Sequence, residues 1–349
     1  MKYRVLIFVV FWALALGLFA IFRFFGLDDD QYFNPDSYRS DQPFILMPFI
    51  VLSIFGALLG LAFYFIEGYF EKKVVTRVTL GLSILLKTLA YLAASVLFLT
   101  LVLQVVSTLL DFDINLEVGW WLADKTVWAL LIYILLLSFL FALIKMGLDH
   151  FGRGVFTSIL FGKFRTPKEE ARIFMFIDLK GSTNIAESLG HQKYTYLIQD
   201  CFLDLNLLVD DYHAQIYQYV GDEVVLYWNI EEGQKNQNCI NLFLAFERAL
   251  LAKKDHYMKH YGILPQFKAG VHGGNLMVTE VGLVKKELAY HGDVINTASR
   301  IQGKCNTYGQ TLLFSKFIYK LLGLSNQAQN LGSEKLRGKE DVLDLYALA

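Results

Sequence analysis

The sequence predicts a two-part fold. An α-helical transmembrane domain of four spans is followed by an α+β domain with a central, mostly antiparallel sheet flanked by helices. Three observations carry this. Of the 349 residues, 55% are hydrophobic and 15% aromatic, and the mean hydropathy is +0.40, too apolar for an ordinary soluble chain of this length. The first half holds long uninterrupted apolar runs. In the second half, short apolar runs alternate with helical spacings and glycine turns, which argues for one mixed sheet rather than a doubly wound parallel fold.

The apolar runs cover residues 4–24, 44–66, 84–110 and 127–148. Each reaches the roughly 20 residues that a bilayer-crossing helix needs. The apolar core of the first is too long for a cleaved leader and is followed by Phe22, Arg23, Phe24 and Phe25 rather than by small residues, so it reads as a retained span. Charge sets the orientation. Lys2 and Arg4 precede the first run, Lys72, Lys73 and Arg77 follow the second, and Arg153, Lys163, Arg165 and Lys168 follow the fourth. The other two connections are acidic, with Asp28, Asp29, Asp30, Asp36 and Asp41 in one and Asp111, Asp113, Glu117 and Asp124 in the other. Alternation of this kind places both termini, and with them the second domain, on the cytoplasmic side of a multi-pass protein of the cell inner (plasma) membrane. Lys87, near one end of the third run, is expected to snorkel to the surface. No intramembrane acid–base series or broken helix pair suggests a transporter, so the spans read as an anchor, a dimerising unit or a sensor.

The expected divisions are 1–148 for the membrane domain, 149–171 for a juxtamembrane connector and 172–349 for the α+β domain. The connector mixes aromatic and basic residues, which suits a segment lying on anionic lipid or one transmitting between the domains. A formal net charge of −1 supplies no basic field, so no nucleic-acid partner is expected. Three scattered cysteines, Cys201, Cys239 and Cys305, make neither a disulfide framework nor a zinc site.

Within the second domain, residues 173–177 read as a strand, 183–189 as a short helix and 194–212 as a longer one. Strands at 215–220 and 224–228 flank Gly221-Asp222-Glu223, a hairpin signal. Residues 239–257 read as one long helix. Runs at 267–271 and 276–281 flank Gly273-Gly274-Asn275 and read as a second hairpin. Residues 294–302 are helical, 311–314 extended, and two short strands close the chain around Gly338.

Two carboxylates stand out. Asp178 ends an apolar strand and meets the turn Lys180-Gly181-Ser182-Thr183, where a helix opens; Asp222 sits in the first hairpin turn. If the strands are neighbours, both acids lie at one sheet edge, where they repel unless a cation lies between them. Oxygen ligands with phosphate and water suit Mg²⁺ or Mn²⁺, and two such ions ~4 Å apart can activate an attacking oxygen and neutralise a phosphate. Backbone N–H groups at Gly181, Ser182 and Thr183 could then receive phosphate oxygens. Read singly, Asp178 is equally a helix cap and Asp222 an ordinary hairpin residue. Further on, Asn296 and Arg300 stand four apart on one helix face, and Arg337 and Lys339 flank a glycine, an arrangement suited to a polyphosphate.

Together and in this order, the F-x-D-x-x-x-[ST] start, the G-D hairpin, N-T-A-S-R and the R-G-K end resemble class III nucleotide cyclases, the adenylate/guanylate cyclase catalytic domain. The resemblance covers about residues 170–349, half the chain. It implies that Asp178 and Asp222 bind two metal ions, with the backbone carbonyl of Leu179 within reach of one. It implies that Asn296 orients the ribose, Arg300 stabilises charge on the α-phosphate, and Arg337, or Lys339 beside it, holds the β/γ-phosphates. The ribose 3′-hydroxyl would attack the α-phosphate in line, converting ATP to 3′,5′-cyclic AMP and pyrophosphate. It further implies a homodimer with shared active sites, the metals on one subunit and the Asn and Arg from the other.

Base recognition departs from the family pattern. The position that carries Lys for adenine or Glu for guanine is Gln218, and its partner position falls on Ala289. Gln can donate and accept; the Ala side chain can do neither, leaving Tyr290 or His291 to stand in. ATP is the favoured substrate and GTP the alternative. A nucleotide-binding regulatory dimer with weak turnover is the further reading.

Overall fold

The computed structural model describes residues 2–25, 46–73, 78–110, 125–151, 158, 161–283, 286–335 and 342–349. The chain divides into two compact units, Met1–Gly147 and Leu148–Ala349.

The first unit consists of α1 (Lys2–Phe25), α2 (Leu46–Lys73), α3 (Leu80–Leu110) and α4 (Lys125–Phe151), the last running on past the boundary between the units. Each contains a stretch long and apolar enough to cross a membrane: Val5–Phe22, Phe49–Phe70, Gly81–Val102 and Val127–Lys145. Small residues let α1 and α2 approach closely. A Cβ at Gly56 would collide with the carbonyl of Trp12, and one at Gly60 with the carbonyl of Phe8. Trp12, Leu16, Leu59 and Phe63 are completely buried along this seam.

One expectation for this unit fails. Lys87 does not snorkel. Its Nζ lies 2.6 Å from Glu67 Oε1, and Glu67 is buried inside the unit. An acid just beyond an apolar run looks like a connection residue in sequence; α2 in fact continues six residues past it.

The second unit is built on one sheet. Its strands are β1 (Lys168–Leu179), β2 (Gln215–Val220), β3 (Glu223–Asn229), β4 (Phe267–Val281), β5 (Glu287–His291), β6 (Leu312–Ser315), β7 (Ala328–Lys335) and β8 (Val342–Leu348). Their order is β2-β3-β1-β4-β6-β8-β7, with β5 beside β4; only β4 and β6 pair in parallel. β1 is central, and it is apolar from Ile173 to Ile177 because both its faces are buried there. Ile173, Met175, Ile177 and Leu179 join one core, and the alternate Phe174 and Phe176 join the other. The first core is covered by α5 (Ser182–Val209) and α7 (Asn238–Ala252), the latter reached through the single turn α6 (Ile230–Gln234); the second lies under α9 (Asp293–Gly303).

Two elements differ from expectation. The residues read as a second hairpin form one continuous strand, β4, and the hairpin lies further on, between β4 and β5. The glycines there serve close packing instead of a turn: a Cβ at Gly273 would press on the Phe317 ring, and one at Gly270 would collide with Gln302 N and Ala298 O of α9. The two helices read at 183–189 and 194–212 are both present: α5 is broken between them at Gly190, where φ 72° and ψ 160° are not helical, and the second ends at Val209. The long helix read at 239–257 is broken at Lys253, where φ is −100° and ψ 19°, into α7 and α8 (Lys254–Tyr261), and Lys253 and Tyr257 both donate to the buried carboxylate of Asp204 on α5.

Candidate active site

Asp178 occupies the C-terminal end of β1, between Glu223 of β3 and Lys268 of β4 in register. Asp222 stands one residue before β3 in the β2–β3 turn, where Gly221 supplies the left-handed conformation at φ 62°. Both aspartates therefore stand at one edge of the sheet. The chain leaves β1 through Leu179, which is buried, and Gly181, at φ 71°, starts α5 with Ser182 and Thr183 in its first turn.

This edge is short of positive charge. Burial first, and then Asp178 and Asp222, push the Glu223 carboxyl up to about 7, with Lys268 pulling the other way. Burial, followed by Asp222, raises the Tyr194 phenol to about 12. Asp222 Oδ2 is buried with no hydrogen-bond partner among the described residues. Asp178 Oδ2 takes two donors, Lys268 Nζ at 3.1 Å and Gln302 Nε2 at 3.0 Å. A lysine already lying on one carboxylate, with an orphaned oxygen on the other, is an arrangement that accepts a cation. Among the described residues no three His, Cys, Asp or Glu side chains form a cage for a metal ion. A carboxylate pair without a third such side chain would need backbone, water or phosphate oxygens to complete a cation site, a set that suits hard cations of the Mg²⁺ type.

Asn296 and Arg300 both lie on α9, Asn296 exposed and Arg300 half-buried. Gln302, on the same helix, points at Asp178. At about 100° per residue, Asn296 and Arg300 fall within roughly 40° of one another, and both lie about 120–160° around the helix from Gln302. The face that carries Asn296 and Arg300 is thus turned away from the aspartates of its own chain.

Gln218 is exposed on β2, beside a register shift against β3. Ala289, half-buried on β5, pairs with Thr279. The Tyr290 ring is buried among Phe174, Tyr217 and Tyr227, with centroids 5.4, 5.1 and 5.2 Å away. Arg337 and Lys339 lie outside the described residues. Sequence reasoning missed Lys268, Gln302 and Tyr194. Lys268 did leave a signal, as the one charge in the apolar run Phe267–Val271; Gln302 and Tyr194 left none, since their roles depend on how α9 and α5 cross the sheet.

Set beside known proteins, residues 166–349, just over half the chain, match the adenylate and guanylate cyclase catalytic domain. The chain belongs to that family. It is 32% identical over 199 residues to adenylate cyclase 2 of Rhizobium meliloti (strain 1021), a match covering 56% of this chain and 55% of that protein. It is 28% identical over 178 residues to adenylate cyclase 1 of the same organism, covering 49% of this chain and 26% of the other. The chain thus spans about half or less of the length of these relatives. A bacterial light-regulated adenylyl cyclase structure shares the fold, with a TM-score of 0.52 at 18% identity, covering 61% of this chain and 62% of the other.

Proposed function

We propose that this protein is a membrane-anchored nucleotide cyclase that converts ATP to 3′,5′-cyclic AMP and pyrophosphate at sites shared between two protomers. The observation that carries it is the division of labour on α9: Gln302 engages Asp178 of its own chain, while Asn296 and Arg300 face away. Residues of complementary chemistry that cannot meet within one chain are completed by a symmetric second copy. The adenylate cyclases among its relatives favour ATP; Gln218, able to donate and accept, leaves GTP as the alternative.

In this reading Asp178 and Asp222, with the Leu179 carbonyl, hold two Mg²⁺ or Mn²⁺ ions. When bound, the ions supply the positive charge that activates the ribose 3′-hydroxyl and screens the phosphates. The N–H groups at Gly181, Ser182 and Thr183 receive phosphate oxygens. From the second protomer, Asn296 orients the ribose and Arg300 meets the charge that develops on the α-phosphate as pyrophosphate leaves. Arg337 and Lys339 take the β/γ-phosphates. Lys268 lies on the Asp178 carboxylate and offsets its charge until the cations arrive. The domains divide at 1–148, 149–171 and 172–349, with the four spans in the lipid bilayer of the inner membrane and the cyclase domain and both termini cytoplasmic. The membrane unit holds two cyclase domains at high effective concentration.

Mass spectrometry of products from the full-length protein in membranes, with Mn²⁺ and each nucleoside triphosphate supplied alone, tests the reading. Cyclic AMP is the expected product. Nucleotide binding without any cyclic product would replace it with a regulatory nucleotide-binding dimer.

A further inference from the structure

The membrane unit contains a polar cluster that the cyclase chemistry does not use. Glu67 of α2 is 5% exposed. Its Oε1 accepts from Lys87 Nζ of α3 at 2.6 Å and from Lys145 Nζ of α4; its Oε2 accepts from Tyr91 Oη of α3 at 2.7 Å. One carboxylate thereby ties three helices. Tyr91, 2% exposed, is itself clamped by stacking on Phe63, one turn before Glu67, with ring centroids 4.2 Å apart.

Position gives the cluster its meaning. Glu67 lies three residues before the end of the apolar stretch Phe49–Phe70, Lys87 six residues into Gly81–Val102, and Lys145 closes Val127–Lys145. All three therefore sit within about two helical turns of the same end of the bundle. It is the end at which α4 leaves the membrane unit, and α4 continues to Phe151, beyond the boundary at Gly147. Inside an apolar bundle such groups are costly unless paired, and a pure anchor would be served as well by leucines. A paired carboxylate has a property that leucine lacks. It gives α4 two discrete settings: Lys145 either shares Glu67 with Lys87 or lets go, and then Glu67 and Lys87 remain as a balanced pair.

We propose that the Glu67–Lys87–Lys145 cluster is a coupling latch: it sets the position of α4, and that position sets the rate of the cyclase domain to which α4 leads. This rests on the cyclase reading above. The relevant state of the membrane unit is the latched one, and a signal acts by loosening Glu67 from Lys145.

The test uses the full chain in lipid nanodiscs. Two measurements are made on Glu67→Gln: cyclic-nucleotide production, and the distance between spin labels at Leu86→Cys on α3 and Leu143→Cys on α4. The latch predicts a change in rate of at least fivefold together with a shifted or broadened distance distribution, while the dimer stays intact by size-exclusion chromatography. The triple variant Glu67→Leu/Lys87→Met/Lys145→Met removes the charges but keeps apolar packing, and covers the case in which Glu67→Gln fails to assemble. A merely structural cluster predicts wild-type rate in that variant; the latch predicts a changed one. Rates within twofold of wild type in the assembled variants, or a changed rate with unmoved labels, overturn the proposal. A wild-type protein that makes no cyclic product defeats the cyclase reading instead, and the label distances still report whether Glu67 holds α4.

Discussion

Gln302 Nε2 lies 3.0 Å from Asp178 Oδ2, so the helix that carries Asn296 and Arg300 is tied by its opposite face to the acidic edge of its own sheet. A point variant on either side of that helix should then damage a different site of a symmetric pair. Asp178→Ala and Arg300→Ala are each expected to be inactive alone. Co-expressed in equal amounts, they should recover about a quarter of wild-type activity, because half of randomly paired dimers are mixed and each holds one intact site. A tagged pull-down of the mixed dimer followed by a cyclase assay checks this. No recovery in verified mixed dimers would place Asp178 and Arg300 in one site of one chain.

Cation binding can be followed without turnover. Asp222 Oδ2 is buried and unpartnered among the described residues, and Asp178 and Asp222 help to raise Glu223. Mn²⁺ should therefore stabilise the folded protein, by roughly 5–10 °C in Tm at a hundredfold excess over its Kd. In Asp222→Asn the gain should fall below half. Thermal unfolding in detergent with and without Mn²⁺ gives the answer, and an undiminished gain in Asp222→Asn would remove that residue from the metal site.

Gly270 marks where α9 rests on the sheet. Gly270→Ala drives a methyl group into Gln302 N and Ala298 O, which are backbone atoms that cannot step aside. Overpacking of this kind costs about 1–3 kcal/mol, and here it also displaces Asn296 and Arg300. Gly181→Ala meets open space, so its penalty is the left-handed backbone alone, about 1–2 kcal/mol. Urea titration should show both losses. Gly270→Ala should depress activity by more than its share of unfolded protein.

The three thiols supply a pH test. Burial pushes Cys201, Cys239 and Cys305 up to about 12 from an ordinary value of 9.0. Above pH 9 the unfolded chain loses these protons while the folded chain keeps them, so stability falls as pH rises from about 9 to 12. At pH 8 the native thiols should resist iodoacetamide and all three should alkylate on denaturation, as intact mass would show. Rapid native labelling of any one would contradict its burial.

Much of this was legible in the chain. The acidic pair was readable because a charge at the end of Phe174–Ile177 interrupts a doubly buried strand, and because Gly221 announces a turn at Asp222. What escaped was long-range. Gly273 and Gly274 carry the same letters in a turn as in a strand crossed by helices, and only the neighbours Phe317 and Val294 decide between them. Gln302 is an ordinary helical residue until α9 is laid across β4. Glu67 looked like a connector charge because the run of uncharged residues ends at Ile66, whereas the helix does not. Reading Tyr290 as a candidate for the purine base did not anticipate the aromatic cluster that encloses its ring.

The abutment of Gly56 and Gly60 on the carbonyls of Trp12 and Phe8 has a practical corollary for protein engineers. Chimaeras that graft a foreign receptor onto this cyclase cannot splice between α1 and α2, because neither helix offers the other's substitute enough room. The first two helices travel as a single cassette, and because Glu67 of α2 pairs with Lys87 and Lys145, α3 and α4 travel with them.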